Sequence, residues 1–215
     1  MTQEIPPSER RYQRTRQSIL ETAQAILAEQ GIDGLSMRAL AEKVDYSPAA
    51  LYKYFANKDE IIDALRKQGQ EFSAKIQQSH LRPGMSTAET FSALFASYLE
   101  FARIYPAHYE LIMNSTEHMP ESLDAFLEDP DFKGLIDFVT GMVQSGQVRL
   151  PQDFRPLHLA FLMWFVGNGA AMLQNKVMHN CQADFSRVSM QVIDMITRLI
   201  LPEEETGSNE LSTGH

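Results

Sequence analysis

Residues 36–55 read SMRALAEKVDYSPAALYKYF, from Ser36 to Phe55. Ser36 stands where an N-cap is needed, its hydroxyl able to accept from a free backbone N–H, and Leu40, Ala41 and Val44 then mark a short helix. Asp45-Tyr46 breaks it. Ser47-Pro48 restarts the chain as an N-cap followed by proline at the first helical position, where a missing N–H costs nothing. A second short helix is expected from Pro48 to about Phe55. Asn57-Lys58-Asp59-Glu60 repeats the start signal, with Asn57 as cap and Glu60 placed to reach back as in a capping box. Upstream, Ile19, Ala23, Ile26 and Leu27 form one helical stripe between about Arg10 and Gln30, closed by Gly31, a residue that tolerates positive φ. Downstream, Ile61, Ile62 and Leu65 give the next helix its apolar face.

Two short helices across a tight turn are the layout of a helix-turn-helix, whose second helix enters the major groove of DNA while the first crosses the backbone. Leu40, Val44, Leu51 and Phe55 supply the inward stripe. Pro48, Ala49, Ala50, Tyr52, Lys53 and Tyr54 are left outward, with small residues at the tip and long donors behind. Small residues let a helix end approach base edges, and tyrosine hydroxyls and a lysine ammonium reach phosphates or bases. Lys58 adds a cation at a helix N-terminus already suited to an anion, so phosphate clamping is its expected role. The bland alternative, an aromatic cluster that only packs a core, fits Leu51 and Phe55 but cannot turn both Tyr52 and Tyr54 inward.

The run Leu51-Tyr-Lys-Tyr-Phe55 followed by Ala56-Asn57-Lys58 resembles the DNA-binding domain of TetR-family transcriptional regulators, and the resemblance extends over residues 12 to about 72. It implies that Tyr52, Lys53, Tyr54 and Lys58 fall on DNA-contacting positions, together with Arg38, and that Ser36 and Ser47 cap helices that touch the DNA backbone. Two departures stand out: the turn that usually carries Gly then Val is Asp45-Tyr46, and a second common Gly is Ala49. Aspartate visits the left-handed region at modest cost, so the turn stays feasible. Arg10, Arg11, Arg14 and Arg16, ahead of this domain, are expected to form a phosphate- or minor-groove-directed arm in preference to a solvated charge run.

The overall charge argues the other way at first sight. With 19 Lys and Arg against 28 Asp and Glu the net charge is −9, whereas DNA is bound largely through phosphate neutralisation. From Arg10 to Lys58, however, 8 basic residues face 5 acidic ones, a local +3. The acidity belongs to the remainder of the chain. Weak non-specific affinity and a strong dependence on base contacts and dimeric spacing are therefore expected.

Beyond residue 80 longer amphipathic helices follow, punctuated at Arg82-Pro-Gly, Tyr105-Pro106, Asp129-Pro130 and Gly146, with strand-type alternation hard to find. The fold class expected is all-α: an N-terminal helix-turn-helix three-helix domain over residues 10–72, behind a disordered arm at 1–9, and a C-terminal helical bundle for effector binding and dimerisation over 73–202. A disordered tail is expected at 203–215. Leu157 to Leu173 is apolar nearly all round, which reads as a helix buried on every side. Phe185, Val188, Val192, Met195 and Leu199 recur at spacings of 3 and 4, the seam of helix pairing, and Gly167, Gly169 and Ala170 permit close approach. A two-fold four-helix interface follows from these, the ordinary alternative being an intramolecular core; TetR-like regulators dimerise through their last two long helices. By the same resemblance Tyr98, Tyr109, Met113, Phe138, Met142, Trp164 and Asn168 fall on helices that enclose a small-molecule effector.

No catalytic residues, metal or cofactor are expected. The six histidines are scattered without a His-x-x-x-His pair, Cys181 is the only cysteine, and Gly167-Asn-Gly169 is half a dinucleotide fingerprint with no strand before it. The lone cysteine and the absence of a basic-then-apolar leader point to a cytoplasmic protein, with no membrane partner. The expected function is a homodimeric regulator of transcription, a repressor that leaves a palindromic operator when an effector binds. An all-helical small-molecule-binding protein or enzyme, or an interaction module with a non-functional DNA-binding head, is the alternative.

Overall fold

The computed structural model describes residues 6–113 and 121–201. The described residues form ten α-helices and one 3-10 turn, and no strand occurs among them. They are α1 Pro7–Gly34, α2 Met37–Lys43, α3 Pro48–Leu51, α4 Lys58–His80, α5 Thr87–Ile104, α6 Pro106–Met113, α7 Leu123–Leu127, α8 Pro130–Gln144, α9 Pro156–Lys176 and α10 Gln182–Ile200, with the 3-10 turn His179–Cys181 leading into α10. The helices form two compact units. One comprises residues 6–72 and 105–113, the other residues 73–104 and 121–201.

In the first unit α1 supplies Ile19, Ala23 and Ile26, α2 supplies Leu40, α3 Leu51, and α4 Ile61 and Leu65, all nearly or wholly buried in one core with Phe55. Gly31, at φ +69, breaks α1 before its last residues and turns the chain toward α2, a backbone conformation costly for any residue with a Cβ. Leu111 of α6 joins the same core. That placement corrects the expectation that everything beyond residue 72 belongs to the second domain. Its cause is a close helix approach at Gly69 of α4, where a Cβ would stand 3.0 Å from that of His108 and 3.2 Å from Ile112. Arg66 Nε also donates to the Leu111 carbonyl at 3.4 Å.

α1 begins at Pro7, so residues 7–9 of the arm expected to be disordered are helical. Proline at the first position, Glu9 in the first turn beside the free N–H groups, and a 2.8 Å bond from Gln13 to Glu9 account for the early start. Residues 1–5 and the tail at 203–215 lie outside the described residues.

The second unit builds its core from Phe91, Phe132, Val139, Met142, Val148, Leu159, Ala160 and Ile200. Phe126, Phe132, Phe161 and Trp164 pack ring against ring beside it, with centroids 4.5 to 6.3 Å apart. α5 packs on α9 and α10, and α8 on α9. Two amide side chains of α9 tie it to α5: Gln174 donates to the Leu99 carbonyl at 3.0 Å and Asn175 to the Ala102 carbonyl at 2.8 Å. α9 is long and apolar enough to cross a membrane by length and composition. Within the single chain it is not buried on every side, since Leu162, Phe165 and Met172 are exposed, and full burial of this helix requires a partner.

Candidate nucleic-acid interface and ligand cavity

The helix-turn-helix is fixed by its caps. Ser36 Oγ accepts from the Ala39 N–H at 3.1 Å, starting α2, and Ser47 Oγ accepts from the Ala50 N–H at 3.2 Å, starting α3 with Pro48 at its first position. Between them Asp45 adopts φ 57, the left-handed conformation that the turn requires, and the Tyr46 N–H closes back onto the Ala41 carbonyl at 3.0 Å. Asn57 caps α4 through the Glu60 N–H at 2.8 Å, while the Glu60 carboxylate reaches the Ala56 N–H at 2.6 Å. The reciprocal box is shifted by one residue from its usual form, in which the cap's own N–H is the target.

α3 is shorter than the span to Phe55. After Leu51 the bonds tighten to a three-residue spacing, Lys53 N–H to Ala50 and Tyr54 N–H to Leu51 at 2.8 Å, which winds the chain more tightly than an α-helix. Phe55 thereby swings into the core, and Tyr52 and Lys53 stay on the outside, Tyr52 with 55% of its surface exposed. Ala49 and Pro48 are exposed at the helix tip, and Ala50 is half-buried. Arg38 of α2 and Arg10, Arg11 and Arg14 of α1 are exposed as well.

Three of the expected contact residues are placed otherwise. Tyr54 is half-buried and stacks on Tyr12 of α1 with ring centroids 5.1 Å apart, with Tyr46 edge-on to it at 6.4 Å. It is a packing residue as much as an outward donor. Lys58 is half-buried and its ammonium donates to the Ile32 carbonyl at 2.9 Å, just beyond the Gly31 break. Arg16 lies over the Phe55 ring at 4.4 Å and 3.7 Å from the Glu60 carboxylate, a structural placement outside any arm. Tyr12 was not anticipated; an aromatic residue inside an arginine run was the available signal.

The second unit encloses a cavity of about 520 Å3 between α5, α8, α9 and α10. Tyr98, Phe138, Trp164 and Asn168, four of the residues expected at an effector site, line it. Met142 does not; it is buried in the core. Tyr109 and Met113 do not either, because α6 belongs to the first unit. Sequence reasoning missed Thr90, Phe91, Leu94 and Phe95 of α5 and Ile193 and Thr197 of α10. The i, i+4 pair Phe91 and Phe95 was legible as an apolar stripe, but which side of that stripe meets empty space is set by the neighbouring helices.

Of the residues expected at a helix-pairing seam, Val188, Val192, Met195 and Leu199 are 38% to 75% exposed along one side of α10, and Phe185 is half-buried. Phe165 and Met172 of α9 are exposed too. Gly169 faces open space, where an added Cβ meets nothing within 4 Å. Gly167 is different: a Cβ there would lie 3.4 Å from the Tyr98 ring, so its small size serves packing inside the unit. Among the described residues no cluster of His, Cys, Asp or Glu could hold a metal ion.

Residues 19–65 match the family model of the bacterial regulatory proteins of the tetR family. Over 91 residues the chain is 32% identical to the nucleoid occlusion factor SlmA of Haemophilus ducreyi, an overlap of 42% of this chain and 45% of that protein. Over 59 residues it is 39% identical to the HTH-type transcriptional regulator UidR of Escherichia coli, 27% of this chain and 30% of that one. The chain thus spans less than half the length of these curated relatives. A solved protein of unknown function from Rhodococcus sp. RHA1 shares the fold more widely, with a TM-score of 0.68 and 25% identity over 87% of this chain and 95% of that chain. The family model thus falls on the residues that build the capped helix-turn-helix, and residues 19–65 form a DNA-binding domain of the tetR type.

Proposed function

We propose that the protein is a DNA-binding transcriptional regulator that acts as a homodimeric, cytoplasmic repressor at a palindromic operator and is released by a small-molecule effector, with no catalytic role. The observation that carries this reading is the outer surface of α3. There Ala49, Tyr52 and Lys53 are exposed behind a serine-capped, proline-started N-terminus, with Arg38 exposed on α2. This is the surface a recognition helix presents to base edges and flanking phosphates. Arg10 and Arg14 would add phosphate contacts, and Lys58 would do so with the ammonium hydrogens that the Ile32 carbonyl does not take.

The exposed apolar stripe on α10, with Phe165 and Met172 on α9, supports a second copy of this chain as its cover, since contiguous large apolar surface marks an interaction site. Two recognition helices held by such an interface would read half-sites about one or more DNA turns apart. The cavity of the second unit supports the effector. α4, which starts in the first unit and whose residues 73–80 belong to the second, is the element through which ligand uptake would act. Such coupling is reciprocal, so operator should weaken effector binding by the factor that effector weakens operator binding.

A gel-shift of the full chain against the DNA flanking its own gene, at several defined salt concentrations, tests the reading. Sequence-selective retardation that persists as salt rises is expected, because base contacts outlast phosphate contacts. Retardation indistinguishable from that of random DNA of equal length would refute it.

A further inference from the structure

We infer that Tyr12 is a positioning residue for DNA binding: its ring, stacked on Tyr54, clasps the first two turns of α1 to the end of the segment that carries α3, and so holds Arg10, Arg11 and Arg14 in place beside the recognition helix. The inference deepens the DNA-binding reading above and rests on it.

The first turns of α1 need something to hold them. Every residue from Pro7 to Arg14 is exposed, and full burial in the first core begins at Ile19. Among the described residues, the side-chain hydrogen bonds, ion pairs and ring contacts of this stretch are the bond from Gln13 to Glu9, which stays inside the helix, and the stack of Tyr12 on Tyr54. Helix ends without tertiary contact fray, because a few backbone bonds do not offset the conformational entropy of the turns they close. The ring contact at Tyr12 therefore decides whether these turns act as part of the domain or as a loose end.

The stack is directional. Tyr12 and Arg16 lie one turn apart on one face of α1 and meet consecutive residues. Tyr12 lies on the Tyr54 ring with centroids 5.1 Å apart and planes inclined by 26°, and Arg16 sits over Phe55 at 4.4 Å. Tyr46, in the turn between α2 and α3, stands edge-on to Tyr54 at 6.4 Å, and Tyr54 packs against the first core. The platform that receives Tyr12 is thus supported from the turn and from the core. At about 100° per residue, a ring of Tyr12 turned inward leaves Arg10, Arg11 and Arg14 on the outer arc. All three are exposed there. An aromatic pair of this kind shifts a docked-to-frayed equilibrium by roughly two- to tenfold. Arginines that contact DNA from the docked state alone lose affinity in proportion to its population.

Tyr12→Ser removes the ring at nearly equal helix propensity, and Tyr12→Phe keeps the ring without the hydroxyl. Both are made in the full chain, with and without the paired change Arg10→Ala and Arg14→Ala, and titrated by fluorescence anisotropy at one fixed salt concentration. The probe is a labelled duplex of the DNA flanking the protein's own gene. Tyr12→Ser should weaken binding about fivefold and Tyr12→Phe less than about twofold. The paired arginine change should cost at least about tenfold in the parent chain and no more than about threefold in the Tyr12→Ser chain, whereas a tyrosine with a merely structural role leaves the two costs equal. Hydrogen exchange of the amides from Arg11 to Arg14, measured without DNA, should be at least about threefold faster with Tyr12→Ser and unchanged with Tyr12→Phe. Equal arginine costs in the two backgrounds, unchanged exchange with Tyr12→Ser, or a Tyr12→Phe chain as impaired as Tyr12→Ser would each overturn the inference. A parent chain that fails to bind ends the DNA-binding reading and this inference with it; a parent that binds without the coupling ends this inference alone.

Discussion

His108 of α6 offers the sharpest perturbation. Its side chain is 0% exposed, its Nδ1 has no hydrogen-bond partner, and its Nε2 lies a long 3.5 Å from Gln68 Oε1. The rings of Phe72 and Tyr105 stand edge-on to it at 5.3 and 6.0 Å. A second proton on this imidazole would be a buried N–H without an acceptor beside aromatic rings, so burial holds its pKa below the ordinary 6.5. The direction of the pH effect follows. Above 6.5 the residue is neutral in both states and contributes no pH dependence. As pH falls below 6.5 the unfolded chain binds a proton that the folded chain refuses. Stability is therefore lost on acidification, by up to about 1.4 kcal/mol per pH unit, until the folded-state pKa is reached and the slope vanishes. His108→Leu removes the ring nitrogens, keeps similar bulk, and leaves no unsatisfied polar atom. At neutral pH it should change stability by less than about 1 kcal/mol. Urea unfolding of both proteins from about pH 7.5 to about pH 5.5 should give curves whose difference grows toward acid by roughly one proton's worth. The other histidines and the carboxylates are common to both and cancel. Imidazole resonances provide the direct check. A His108 ring that titrates at or above 6.5, or a difference between the two proteins that stays constant with pH, would refute the reasoning.

Asp45→Ala should destabilise the first unit by about 1 kcal/mol, because alanine lacks the local polar contacts that make φ 57 tolerable for aspartate, whereas Asp45→Gly should not; equal thermal melts for the two would contradict this. Lys58→Ala should cost about 1 kcal/mol through the bond to the Ile32 carbonyl, measured by chemical unfolding, and should also lower the slope of log K against log salt by about 1 if the ammonium meets a phosphate. An unchanged slope would restrict Lys58 to its tether. Met195→Glu, at a position 58% exposed in the single chain, should shift the protein toward monomer in sedimentation while leaving its circular dichroism intact; an undisturbed dimer would move the interface elsewhere.

Local chemistry carried most of what could be read from the chain. Ser36, Ser47 and Asn57 cap the helices they precede, and Gly31 and Asp45 take the positive φ that the turns demand, because caps and turns depend on a few adjacent residues. Readings that needed distant partners fared less well. Tyr54 and Lys58 sit on an outward arc by helical spacing, yet a ring of α1 and a carbonyl beyond Gly31 draw both partly inward. Tyr109 and Met113 have the composition of a pocket wall, but the missing Cβ of Gly69 lets α6 join the first unit, and periodicity carries no trace of that choice. The cavity was half legible for the same reason: α9 contributes Trp164 and Asn168 as expected, while the α5 wall depends on how α8 and α10 flank it.

The early start of α1 has one more consequence. A flexible arm must give up its conformational freedom when it docks, and that ordering subtracts from affinity and deepens the heat-capacity change of association. With α1 helical from Pro7, Arg10 and Arg14 are already arrayed one turn apart on the same face, about 6 Å from each other. Docking then asks little reorganisation of this segment. Its two cations meet any polyanion as a preset pair whose spacing, and not their charge alone, decides which pair of phosphate oxygens they can span.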